Sequence, residues 1–169
     1  MAICGFINVI WRAKISGMML KAAAPIGMSF TLLVLVTGSV WGKPTWGTWW
    51  AWDARIVSTL ILFIMYLGLI SLHDSFANYE KADKFLAVLV LVGSVNIPII
   101  KMSVEWWSTL HQSASITISD KPTIDPSMLY PLFGSMIGFT GIVVCLVILS
   151  SKLHIFVREK NKSWIKNYV

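Results

Sequence analysis

The chain has 169 residues, 56% of them hydrophobic and 13% charged, with a mean hydropathy of +0.72. That composition excludes a soluble globular domain and fits a single membrane domain spanning residues 1–169. The net charge of +6 does not indicate a nucleic-acid partner, because the cations sort by side of a membrane instead of forming one basic patch.

In chain order, residues 1–11 are apolar but too short to span a bilayer. They lack the basic n-region of a signal peptide and read as the latter half of a helix, so 1–21 is expected to be a partial helix and a cytoplasmic loop. Uncharged runs follow at 22–40, 56–72, 85–100 and within 126–151. A span needs about 20 apolar residues, with about 17 as the usual lower end. The third run is short, and Lys84 and Lys101 bracket it, placed to snorkel to the headgroups. Asn96 and Pro98 inside that run predict a bend. The expected fold is all-α: a polytopic membrane helix bundle of four full transmembrane helices plus a partial N-terminal one. No internal repeat or flexible linker interrupts it. Cys4 and Cys145 form no CxxC pair and read as small packing residues.

Basic residues orient the bundle. Arg12, Lys14, Lys21, Lys81, Lys84, Lys152, Arg158, Lys160, Lys162 and Lys166 fall on one side of a four-span protein; Lys43, Arg55, Lys101 and Lys121 fall on the other. Positive-inside places the basic 152–169 tail in the cytoplasm or an organelle matrix, and the loops 41–55 and 101–130 outside.

Seven of the nine tryptophans lie between residues 41 and 107, on that outer side. If residues 46–53 are helical, Trp46, Trp49, Trp50 and Asp53 share one face, and a short amphipathic aromatic helix lies on the membrane surface. Gly42, Pro44 and Gly47 then read as the turn that precedes it. Interfacial belts also collect Trp. However, five tryptophans within twelve residues, with only Trp11 and Trp164 on the opposite side, favour a platform for a large, flat aromatic ligand. Asp53 suits the N-terminus of the next helix. The alternative reading of this stretch is that Arg55 and Lys43 pair with the carboxylates of an anionic ligand.

Of three histidines, His73 and His154 fall at cytoplasmic span ends and read as interfacial. His111 alone is outside, and on a helix it neighbours Trp107 at i, i+4. A neutral imidazole ligates iron and an indole stacks on a porphyrin, while an interfacial hydrogen-bonded histidine is the plain alternative. No GxSxG, P-loop or HExxH motif and no paired carboxylates suggest an enzyme.

The run Trp46-Gly-Thr-Trp49-Trp50-Ala-Trp52-Asp53-Ala-Arg55 resembles the WWD signature of haem-handling membrane proteins. With Asn96-Ile-Pro-Ile-Ile100 and Ser103-Val-Glu-Trp106-Trp107-Ser-Thr-Leu-His111-Gln112, it resembles the cytochrome c maturation protein C (haem exporter protein C) family over nearly the whole chain. The resemblance implies a haem-binding inner-membrane subunit of c-type cytochrome biogenesis, bacterial in preference to mitochondrial, that presents haem b on the outer face. It implies as partners a membrane-anchored haem chaperone, ATP-binding-cassette export subunits, a small membrane protein and lipid. It implies a haem site of Trp46, Trp49, Trp50, Trp52, Asp53, Arg55, Trp106, Trp107 and His111, with His111 on the iron and no catalytic residue. The family's first axial histidine, from a loop between two earlier spans, has no match here, so the chain is expected to lack what precedes the second span. The competing expectations are a structural subunit of a transporter or respiratory complex with a tryptophan belt, a haem lyase, against which the short length argues, and a non-functional N-terminally truncated remnant.

Overall fold

The computed structural model describes residues 1–107, 109–112, 115–116, 122–160 and 162. Lys121, Trp164 and Lys166, used above to orient and weigh the two sides, lie outside the described residues. The helices are α1 (Ala2–Trp11), α2 (Lys14–Trp46), α3 (Ala54–Ser75), α4 (Tyr79–Ser94), α5 (Asn96–Trp106) and α6 (Pro126–Glu159), and no strand occurs among the described residues. Four segments are long and apolar enough to cross a membrane: α2, α3, α4 with α5 in series, and α6.

The 33 residues of α2 rise about 50 Å, well beyond a hydrocarbon core of about 30 Å, so its ends project from the apolar layer. It packs against α1, α3, α4 and α6 and is the centre of the bundle. Small residues permit those approaches: a Cβ on Gly17 would overlap the Asp83 carboxylate of α4, and one on Gly27 would overlap the Tyr66 ring of α3. Along α2 the hydroxyls of Ser29, Thr31, Thr37, Ser39 and Thr45 bond to carbonyls one turn back, which satisfies them without a partner helix.

The corner between α1 and α2 is held by side chains. Arg12 takes a left-handed conformation (φ 50°) and its N–H donates to the Asn8 carbonyl. The buried Asn8 amide donates to Ala13 O and Ser16 Oγ, each at 3.2 Å. α1 runs beside α4, with Gly5 against the Ala87 carbonyl.

At the expected bend the helical hydrogen bonding of the third span is interrupted for one residue, while Val95 keeps helical dihedrals (φ −63°, ψ −26°). Val95 separates α4 from α5, and Pro98 supplies no N–H in the first turn of α5. The Asn96 amide, 7% exposed, donates to Ser58 O at 2.9 Å and ties α5 to α3. α6 leans on α2 with the Phe30 and Phe139 rings edge to face, and near its C-terminal end Arg158 reaches Asp83 of α4. Asp125 caps α6: the Ser127 hydroxyl and N–H hold this carboxyl below the usual carboxylate range.

Two local expectations are corrected. Residues 47–53 form no helix; α2 instead runs through Gly42 and Pro44 to Trp46, and Gly47 (φ 77°) ends it. A proline costs less in a membrane helix, because neighbouring groups re-satisfy the freed carbonyl, so Pro44 does not stop α2. Likewise α5 ends at Trp106, and Trp107 is extended, so Trp107 and His111 are not helical neighbours. His73 lies in the last turn of α3, at a span end as expected, and is 4% exposed and 3.5 Å from Asp83.

Candidate functional site

The end of α2, the start of α3 and the segment after α5 meet at one end of the bundle. Asp53 connects them. It is the N-cap of α3, with Oδ1 accepting from Ile56 N at 2.8 Å. Its other oxygen, Oδ2, lies 2.8 Å from Nδ1 of His111. The carboxylate is buried, with its side chain 7% exposed, while His111 is 22% exposed. With Asp53 ionised, the bond requires the proton on Nδ1, and Nε2 then carries the free lone pair. This is the arrangement by which a carboxylate fixes the tautomer and orientation of a metal-ligating histidine.

The imidazole rests edge-on against Trp46, with ring centroids 4.6 Å apart, and Trp46 packs edge to face with Trp41 at 5.2 Å. Thr109 braces the backbone of His111 through its hydroxyl, which pairs with His111 N and O at 3.3 Å each. Thr48 does the same for Trp50, at 2.9 Å to its carbonyl. These hydroxyl turns shape both loops where helix is absent.

A cavity of about 110 Å³ opens here, lined by Trp41, Trp46, Trp49, Arg55 and His111 together with apolar and small residues of α2 and α3. A pocket for a whole organic ligand is larger, about 300–1,000 Å³. The geometry therefore offers a ledge with an aromatic floor and an imidazole at its edge, over which a flat ligand can lie. Arg55 lines the ledge, whereas Lys43 bonds to Gly47 O at 3.1 Å and sits 6.0 Å over the Trp49 ring.

The sequence-derived residues divide into two groups. Trp46, Trp49, Asp53, Arg55 and His111 converge. Trp50 and Trp52 pack on each other at 5.7 Å outside the cavity, with Trp52 80% exposed and the Trp50 indole N–H buried without an acceptor. Trp106 and Trp107 pair at 5.8 Å, are exposed, and do not line the cavity. Trp41 was missed as a site residue. Its signal was a helix continuing past Pro44, which brings Trp41 and Trp46 together. His73 lies at the far end of α3, about 30 Å along the helix from Asp53.

A family model described as heme exporter protein C matches residues 1–166. The chain is similar to the heme exporter protein C of Escherichia coli (strain K12), 43% identical over 169 residues, which is all of this chain and 68% of the relative. It is similar to that of Haemophilus influenzae, 42% identical over 98% of this chain and 68% of the relative. It is also similar to that of Bradyrhizobium diazoefficiens, 49% identical over 86% of this chain and 56% of the relative.

Proposed function

This chain belongs to the heme exporter protein C family, and from that premise we propose that it captures haem b on the outer face of the inner membrane and hands it to a membrane-anchored haem chaperone for c-type cytochrome assembly. The observation that carries this reading is the buried Asp53 carboxylate 2.8 Å from Nδ1 of His111, with Trp46 against the imidazole. Asp53 holds the Nδ1–H tautomer. His111 offers Nε2 to the iron. Trp46, Trp41 and Trp49 take one face or edge of the porphyrin, and Arg55, with Lys43 nearby, pairs with the propionates. An open ledge suits a carrier, since a ligand held from one side can be taken from the other. Among the described residues His111 is the only histidine at this end of the bundle, so it is the imidazole that these residues would offer to the iron. The chain binds and orients haem; it breaks and makes no covalent bond of it, so it is not an enzyme. Export subunits of the ATP-binding-cassette type and a small membrane protein are its proposed partners, with the C-terminus cytoplasmic.

Absorption spectroscopy tests the proposal. Haem titrated into the detergent-solubilised chain is expected to give a shifted Soret band that His111→Ala weakens or moves. Identical spectra and affinities for the two proteins would remove His111 as a ligand and the proposal with it.

A second reading, an interfacial aromatic belt, is favoured for Trp52, Trp106 and Trp107 by their exposure of 80%, 58% and 51% outside the cavity. On that reading, Phe at these three positions leaves haem binding unchanged.

A further inference from the structure

A second cavity, of about 460 Å³, lies at the opposite end of the bundle from His111. Three separate stretches of chain wall it: the α1–α2 corner, the first turns of α4, and the end of α6. Five of its lining residues are basic (Arg12, Lys14, Lys81, Lys84 and Arg158) and two are acidic (Glu80 and Asp83), a net charge of +3. Asp83 is already committed, because its Oδ2 accepts from Arg158 Nη1 at 2.7 Å in a largely buried pair. Among the described residues, no carboxylate lies within ion-pairing distance of Arg12, Lys14, Lys81 or Lys84. The floor is fixed by the Arg158–Asp83 pair, by the Arg158 guanidinium 5.1 Å over the Tyr79 ring, and by the buried Asn8.

Basic residues that only set orientation need not converge. Here cations from distant parts of the chain surround one hollow of a size that accepts a small organic ligand. The surplus positive charge selects an anion, and clustered lysine and arginine suit phosphate oxygens. The neighbouring surface indicates where that phosphate comes from. Trp11, Ile15, Phe85 and Val88, which flank the basic residues in sequence, are exposed by 45–67% near the same ends of α1, α2 and α4. A phosphate attached to acyl chains uses both features, and basic pockets between membrane helices are known to take anionic headgroups.

We propose that this cavity binds the phosphate of an anionic phospholipid, with Arg12, Lys14, Lys81 and Lys84 around the headgroup and the acyl chains along the exposed apolar side chains. The site requires only that this end of the bundle meet a headgroup layer. It is therefore independent of the haem reading and of which leaflet is involved.

The test is native mass spectrometry of the whole chain in detergent with equimolar phosphatidylglycerol and phosphatidylcholine. Phosphatidylglycerol is expected to be retained preferentially. At about fivefold per cation, Lys81→Gln with Lys84→Gln should lower its retention roughly 25-fold, and Arg12→Gln with Lys14→Gln should do likewise. Lys81→Arg with Lys84→Arg should preserve it, and Lys101→Gln, at the other end, should leave it unchanged. Circular dichroism checks that each variant is folded. Equal retention of the two lipids, or an equal loss with Lys101→Gln, would overturn the proposal. Displacement of the lipid by millimolar inorganic phosphate would reassign the site to a free anion, and displacement by polyglutamate would reassign it to an acidic protein segment; either result overturns the lipid assignment.

Discussion

Replacing Asp53 with Asn separates its two tasks. The carboxylate uses one oxygen for each: Oδ1 on Ile56 N and Oδ2 on His111 Nδ1, both at 2.8 Å. An Asn side chain has one oxygen and one NH₂ group. If the oxygen keeps the N-cap, the NH₂ faces Nδ1 and can only donate to it. That forces the proton onto Nε2, the atom left free in the parent. Asn caps helices about as well as Asp, so Asp53→Asn should cost only the helix-dipole contribution, roughly 0.3–1 kcal/mol. Loss of a partner that orients a metal ligand typically costs about 10–100-fold in affinity, or roughly 1.4–2.7 kcal/mol. Asp53→Ala loses the cap as well, which adds about 1 kcal/mol of destabilisation. The assays are Soret titration for haem affinity and thermal unfolding in detergent for stability. The expected pattern is an Asn variant nearly as stable as the parent but 10–100-fold weaker for haem, and an Ala variant weaker in both. Parent-like haem affinity in Asp53→Asn would refute the tautomer argument.

Three other perturbations have defined outcomes. Trp46→Ala removes the ring 4.6 Å from the imidazole and should weaken haem binding and broaden the Soret band, whereas Trp11→Ala, 67% exposed at the other end, should change neither in the same titration. Asn96→Ala removes the amide that bridges to Ser58 O and should lower stability in a denaturant titration by about 0.6–1.7 kcal/mol, the range for interhelical hydrogen bonds in membrane proteins. Arg158→Ala leaves Asp83 as an uncompensated buried charge beside His73 and should destabilise by about 3 kcal/mol in thermal unfolding, with Asp83→Asn in the same chain recovering most of the loss.

The spans were legible because each is a long apolar run, and the one-residue interruption at Val95 falls beside Asn96 and Pro98, where a bend was expected. The loops were not. Spacing alone made 46–53 look like an aromatic helix, but periodicity carries no information about where a membrane helix stops, and Pro44 proved a weaker stop than Gly47. The convergence of Trp46, Trp49, Arg55 and His111 was anticipated as a set, yet the contact that organises it was not. Asp53 and His111 are 58 residues apart in sequence, and no local pattern registers such a pairing. The residues alone suggested a helix cap for Asp53, whereas its two carboxylate oxygens serve the N-terminus of α3 and the imidazole together. His73 does lie at the end of a span, but its burial was not legible for the same reason: its partner Asp83 lies on the next helix.

The central claim, that Nε2 of His111 is the iron ligand, is tested most directly by chemical rescue. His111→Gly opens a vacancy of imidazole shape against Trp46. Free imidazole at millimolar concentration should restore the parent's haem spectrum in that variant while leaving the parent unaffected. A His111→Gly protein that binds haem with the parent's spectrum in the absence of imidazole would contradict the account.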